Sequence, residues 1–323
     1  MSWDSVFGHE RPKRMLQAHL AAGRVPGAYL LAGPEGIGKR KLALEMAKAL
    51  NCASAEARPC DRCPTCAQMT KGVHPDLHVI TPSGASEQIK IDDVRHLIGR
   101  LALRPFSAAM QVAILDGADR LTEEAANSLL KVLEEPSARV RFLLITAQPA
   151  RCLPTVLSRC QLIRFAPLPH EVVQRLLIEP HGCEPSLAAQ VARLGRGSVS
   201  AALALLERWS AYQASLARFA QEPRAWLASP LPETREEVAA FVDGMLVWLR
   251  DVAAVASGSS AMAHPEHADV LRRQAAGVDV DRCVATAFQM LELRRSLEQF
   301  VSPRLVASLA RETWLDLMER EAY

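Results

Sequence analysis

The sequence predicts an α/β fold, a parallel sheet covered by helices on both faces, followed by an all-α region. Three observations carry that reading. Residues 29–48 pass from an apolar run through a glycine-rich turn into a helical pattern. Strand and helix patterns then alternate as far as about residue 166, which implies a parallel sheet. Beyond Ala166-Pro167-Leu168-Pro169 nothing reads as a strand.

A chain of 323 residues is too long for one ordinary domain, so roughly two or three are expected. A hydrophobic content of 49% supplies ample core. The net charge of +2 argues against a strong standing attraction to DNA or to an anionic membrane. Met1-Ser2-Trp3-Asp4 begins no signal peptide. The most apolar later window, Ala239 to Gly258, contains Asp243, Arg250 and Asp251, and so suits a core helix and not a membrane span. A cytoplasmic protein with no membrane partner is expected.

The first helix is expected over Arg11 to Ala22, closed by Gly23 and broken by Pro26. Tyr29 to Ala32 suits a buried strand. Gly33-Pro34-Glu35-Gly36-Ile37-Gly38-Lys39 then fits a phosphate-binding loop, and Lys41 to Lys48 continues as a helix. Glycines let backbone N–H groups converge on phosphate oxygens, the helix N-terminus favours negative charge, and Lys39 adds a cation. The next position should be Ser or Thr, whose hydroxyl ligates magnesium. It is Arg40, which has no acceptor. Gly33, Gly36, Gly38, Lys39 and Arg40 are therefore candidates for a phosphate cradle that has lost its metal ligand.

Four of the eight cysteines, Cys52, Cys60, Cys63 and Cys66, interrupt the α/β pattern in a Pro-containing polar insertion. The spacing C-x7-C-x2-C-x2-C can close a tetrahedral zinc shell, and a cytosolic cluster of this density reads as metal binding before disulfides. Structural Zn²⁺ is the expected cofactor. His74 and His78 follow closely and could substitute for Cys52. The simpler assignment makes His74-Pro75-Asp76 a turn and His78 the start of strand His78 to Ile80.

A helix is expected over Asp92 to Leu103, then a buried strand from Val112 to Leu115 ending at Asp116. An acidic residue there occupies the Walker B position, which holds magnesium or its waters. A glutamate that polarises water should follow, but Gly117 does; Asp119 and Glu123 lie near and out of register. Leu121 to Leu133 is a periodic helix stopped by Glu134-Glu135-Pro136. Arg141 to Thr146 is another core strand, with Thr146 where a γ-phosphate sensor would sit. Ser158-Arg159-Cys160 precedes the strand Gln161 to Phe165. Three short helices are expected within 170–208, and long Ala/Leu/Val-rich helices beyond, among them 235–256 and 281–299.

The loop Gly33 to Lys39, the cysteine insertion, the run Asn127-Ser128-Leu129-Leu130-Lys131-Val132-Leu133-Glu134-Glu135-Pro136 and the triplet Ser158-Arg159-Cys160 together resemble the bacterial replicative clamp-loader family of DNA polymerase III, an AAA+ assembly. The resemblance covers residues 1–209; the rest matches in helical character and a loose segment from Ser296 to Trp314. It implies an AAA+ P-loop domain over 1–166 with a zinc insertion at about 52–66, a small helical lid over 167–209, and an all-α collar over 210–323. The family's motor subunits carry Lys-Thr in the loop, Asp-Glu in Walker B and Gly-Ser-x-Arg in the lid. This chain has Lys39-Arg40, Asp116-Gly117 and Gly197-Ser198-Val199-Ser200.

Loss of catalytic residues beside retained cysteines and a retained Ser-Arg-Cys triplet is similar to the delta-prime subunits of the family. That likeness implies Arg159 as an arginine finger acting in trans on a neighbour's ATP, no hydrolysis by this chain, and ATP binding left open by the intact Lys39. The implied partners are the motor (gamma/tau) and delta subunits, and through the complex the sliding clamp and primer-template DNA. Two readings compete: a catalytically active motor-type ATPase, and a zinc-binding nucleic-acid module. An aromatic content of 5% and near-neutral charge weigh against the second.

Overall fold

In the computed structural model, which describes residues 2–54, 58–84, 87–221, 226, 229–299 and 301–319, the apolar runs become one five-stranded sheet. The elements of its N-terminal half are helix α1 (Glu10–Ala21), strand β1 (Ala28–Ala32), helices α2 (Lys39–Asn51) and α3 (Pro64–Thr70), strand β2 (Leu77–Ile80) and helix α4 (Ile91–Leu101). Strand β3 (Gln111–Asp116), helix α5 (Glu123–Glu134), strand β4 (Val140–Thr146), the short α6 (Pro154–Leu157) and strand β5 (Gln161–Arg164) complete it. The strand order is β2-β3-β4-β1-β5, and every pairing is parallel.

Parallel strands need crossover helices, which cover both faces of the sheet and make its inner strands β1, β3 and β4 largely apolar. The residues sort by the two-residue strand period. Tyr29, Leu31, Val112, Ile114, Leu143 and Ile145 pack with Leu42 and Met46 of α2. Leu30, Ala113, Leu115, Phe142 and Leu144 pack on the other side with Val94 and Leu97 of α4 and Leu129 of α5.

The helix ends follow local chemistry. Thr122 caps α5 by accepting the Ala125 N–H at 3.3 Å, while Asp93 accepts the Lys90 N–H at 3.0 Å at the start of α4. Asp76, just before β2, is 1% exposed and accepts the N–H groups of Phe106, Ser107 and Ala108 at 2.7–2.8 Å. Those bonds fasten the loop between α4 and β3.

Three further helices follow: α7 (His170–Ile178), α8 (Pro185–Leu194) and α9 (Val199–Glu207). The chain divides into two compact units, the first through Ala202 and the second from Leu203 onward. The second contains α10 (Trp209–Phe219), α11 (Arg235–Ala256), α12 (Ala268–Ala275), α13 (Val280–Ser296) and α14 (Pro303–Glu319). Its core gathers Phe219, Trp226, Phe241, Trp248 and Trp314. Asp251, wholly buried in α11, accepts the N–H groups of Ala263 and His264 and lies 2.8 Å from His264 Nδ1; His264 Nε2 is 2.7 Å from the Tyr212 hydroxyl. That polar chain pins the segment after α11 to the bundle. Among the described residues no helix is long and apolar enough to cross a membrane.

Candidate functional site

Sheet order decides which residues meet. Strand β4 lies between β1 and β3, so the glycine loop after β1, Asp116 at the end of β3 and Thr146 at the end of β4 share one edge. The register aligns Ala32 with Thr146 and Asp116 with Ile145. Ligands of open α/β sheets bind outside this carboxyl edge. The segregation of Gly33, Gly36, Gly38, Lys39, Arg40, Asp116 and Thr146 to one place is thus a consequence of topology.

Gly36 and Gly38 have φ of +73° and +97°, a left-handed backbone that side chains disfavour. A Cβ at Gly36 would also come within 2.4 Å of Ser198 Oγ. The segment before α9 is seated against the loop: the Val199 and Ser200 N–H groups donate to Gly36 O at 2.9 and 3.3 Å. From the other side His9 Nε2 lies 2.6 Å from Ile37 O. Burial lowers the His9 pKa, so the neutral ring donates this bond through its Nε2–H.

Lys39, 6% exposed, turns its ammonium onto Gly33 O at 2.6 Å and onto Pro34 O. Burial pulls its pKa down, against the opposing pull of Asp116, Glu35 and Asp119. Arg40 Nη1 faces Asp116 Oδ2 at 3.6 Å. Burial raises the Asp116 carboxyl, and the Arg40 and Lys39 charges hold it back down. This donor set does not fit magnesium: the position after the lysine offers only donors, and the carboxylate faces a fixed cation.

Thr146, 1% exposed, accepts the Gln148 N–H through Oγ1 at 3.0 Å. Asp119 Oδ1 accepts the Ala147 N–H at 3.3 Å, and Glu123 opens α5 as an exposed residue. Arg159 stands apart from this edge, just after α6. Its Nε donates to Glu134 Oε1 at 2.8 Å, Nη2 donates to the same oxygen, and Nη1 donates to Thr155 O at 2.9 Å.

The cysteines converge. The Sγ atoms of Cys52, Cys60, Cys63 and Cys66 all lie within 4.8 Å of one another, the compactness a tetrahedral thiolate shell requires. Backbone N–H groups of Ser54, Cys63 and Cys66 point at Cys52, Cys60 and Cys63 sulfurs, each at 3.4 Å. The N–H groups of Arg62 and Cys63 bring the Cys60 thiol down to about 6, whereas burial pushes Cys66 up to about 12. His74 and His78 stay outside the cluster; His74 Nδ1 accepts the Asp76 N–H at 3.1 Å. The insertion is fastened by the nearly buried Lys48 of α2, whose ammonium meets Glu45 at 2.8 Å and Asp61 at 2.6 Å. The Trp3 indole N–H also donates to Arg58 O at 3.0 Å.

Three participants escaped the sequence reading: Glu134 as the partner of Arg159, the Ser198–Ser200 segment on the loop, and Lys48 as the anchor of the insertion. Glu134 was visible within its motif, but its partner lies 25 residues on. Lys48 read as ordinary helix charge, and nothing in the sequence announced its burial.

A sequence model of the family described as "DNA polymerase III, delta subunit" matches residues 8–169. The chain is 37% identical over 184 residues to DNA polymerase III subunit delta' of Bacillus subtilis, covering 57% of this chain and 55% of that one. It is 44% identical over 168 residues to subunit delta' of Pseudomonas aeruginosa, covering 52% and 48%. It is 34% identical over 209 residues to subunit tau of Escherichia coli, covering 63% of this chain and 32% of tau. The match thus spans about half the length of the two delta' relatives. A solved gamma subunit-related protein of Thermotoga maritima aligns over 94% of this chain and 99% of its own, with TM-score 0.48 and 17% identity. With its phosphate-loop sheet, four-thiol insertion and Ser-Arg-Cys triplet, the chain belongs to the DNA polymerase III delta subunit family, and within it to the delta' type.

Proposed function

We propose that this chain is a non-hydrolysing clamp-loader subunit that lends Arg159 to the ATP site of a neighbouring motor subunit. The ion pair between Arg40 and Asp116 is the observation that carries the proposal. Where a working site gathers a hydroxyl and a carboxylate around magnesium, this chain sets a guanidinium against the carboxylate. Gly117 follows Asp116, so the glutamate that would orient water is missing as well. A chain unable to fire its own site can still serve another's. Arg159 carries a planar fork suited to phosphate oxygens, and its side chain is 29% exposed. A trans arginine is worth about 10³–10⁵ in rate in related NTPases.

In this reading the partners are gamma/tau-type motor subunits and delta, and the assembled ring opens a sliding clamp and sets it on primed DNA. Residues 1–166 act as the AAA+ body, 167–209 as its lid, and 210–323 as the collar that joins the ring. Cys52, Cys60, Cys63 and Cys66 hold a structural Zn²⁺ that ties together an insertion with little core of its own. The cradle around Lys39 keeps nucleotide without turning it over.

The test is a reconstituted loader carrying Arg159→Ala. The complex is expected to assemble, with single-turnover hydrolysis lowered at the one site this chain faces and clamp loading lowered further. Arg159→Lys rescues little, because an ammonium lacks the fork. Wild-type hydrolysis and loading by an intact mutant complex would remove the finger. Magnesium-dependent turnover by the isolated chain, abolished by Lys39→Ala, would remove the non-hydrolysing assignment.

A further inference from the structure

We propose that Arg40 stands in for the divalent cation, so that the cradle takes the polyphosphate of a nucleoside di- or triphosphate in its metal-free form. This rests on the reading of residues 33–39 as a phosphate cradle and is independent of Arg159.

In a metal-using loop, the hydroxyl after the lysine and the strand-end aspartate hold the ion, which neutralises phosphate oxygens. Both positions have changed roles here. Arg40 brings donors and a positive charge, and Asp116 Oδ2 faces its Nη1 at 3.6 Å. A divalent ion approaching Asp116 meets that fixed charge. Lys39 and Arg40 together supply two positive charges at the head of α2, where the helix dipole adds to them. The work a magnesium ion does for the phosphates is thus available from side chains.

The arm is free to do it. The Arg40 side chain is 59% exposed, so exchanging Asp116 for phosphate disturbs no buried packing. Its fork can bond two phosphate oxygens at once, which a lone ammonium cannot match. A cavity of about 470 Å³ lies over the loop, within the range of small-molecule sites. Its lining is mixed: Lys39, Arg40 and Lys41 bring cations beside the carboxylates of Glu35 and Asp116, and Val6, Phe7, Leu168 and Leu176 contribute apolar wall. A ligand with an anionic tail and a flat base matches those cations and that wall.

Binding of mant-ATP and mant-ADP to the full chain, in excess magnesium and in excess EDTA, tests this. The two dissociation constants are expected to agree within about threefold, well short of one tenfold step. Arg40→Thr restores a metal-ligating hydroxyl. It is expected to weaken binding in EDTA by about tenfold or more, the loss of a charge-assisted contact, and to recover in magnesium. Asp116→Asn should leave binding undiminished in magnesium as well as in EDTA, because it removes a competitor for Arg40; loss of a metal ligand would weaken binding in magnesium. Lys39→Ala should abolish binding in both buffers. Wild-type binding that requires magnesium, or an Arg40→Thr variant unchanged in EDTA, overturns the role of Arg40 and leaves the cradle standing. No binding in either buffer, by protein with an intact circular dichroism spectrum, overturns both.

Discussion

Arg159 sends two of its nitrogens, Nε and Nη2, to a single carboxylate oxygen of Glu134 at the end of α5. With Nη1 on Thr155 O and Ser158 Oγ, the guanidinium is engaged at every nitrogen. A finger that reaches another chain must exchange these bonds for phosphate oxygens. The pair is half exposed on the Glu134 side, so its net worth is about 0–1 kcal/mol. Glu134→Gln is expected to leave the thermal midpoint within about 4 °C of wild type. In a reconstituted loader it should raise hydrolysis at the facing site, before clamp or DNA is added, by about two- to fivefold. An unchanged basal rate would show that Glu134 does not restrain Arg159.

The cysteine cluster predicts one zinc per chain, measurable by elemental analysis of protein purified under reducing conditions without chelator. Structural zinc supplies on the order of 10 kcal/mol to small sites. Cys60→Ser should therefore lower zinc content and open the insertion to proteolysis near Arg62. The sheet should keep its melting transition, because its two cores share little with the insertion. A zinc-free wild-type protein with a protease-resistant insertion would contradict the assignment.

His78 offers a pH arm. It is 6% exposed on β2, and neither ring nitrogen has a hydrogen-bond partner among the described residues. Burial brings its pKa down to about 4 from the ordinary 6.5. The unfolded chain therefore binds the proton first. The contribution of neutral His78 is complete above about 6.5 and is lost as pH falls toward about 4. The arm amounts to about 3 kcal/mol. His78→Leu should flatten it without loss of stability at neutral pH, since it removes buried nitrogens that gain nothing. Urea denaturation of both proteins between these pH values reads the difference.

In the second unit, Asp251→Ala should be severe, about 3–5 kcal/mol, because it strips partners from Ala263, His264 and their buried neighbourhood at once. Tyr212→Phe removes one outer bond and should cost about 1 kcal/mol. Trp248 lies 5.6 Å from the His264 ring, so its fluorescence follows the transition. Equal effects of the two substitutions would mean that the polar chain is not anchored at Asp251.

The sheet was legible because its inner strands β1, β3 and β4 are nearly continuous apolar runs, as strands covered on both faces can be. Asp116 and Thr146 could be assigned to the edge because each ends such a run. The convergence of the four cysteines was legible from spacing alone. What lay hidden joins distant parts of the chain: Gly36 with Ser198, Lys48 with Asp61, Glu134 with Arg159. Charges at helical spacing look solvated in a sequence. Lys48 is 3% exposed because the insertion folds over it, and no local pattern encodes that cover.

A trans peptide unit is planar, with its C=O and N–H pointing opposite ways. Gly36 O is held by the N–H groups of Val199 and Ser200, and Ile37 O by His9. Fixing these two oxygens also fixes the amide hydrogens of Ile37 and Gly38, which are turned away from those holders. Two neighbours outside the motif thus aim the loop's donors, so that an anion bound there, as proposed above, would find them aligned without the entropy of ordering them. His9 and the Val199 backbone are in this sense part of the loop's framework.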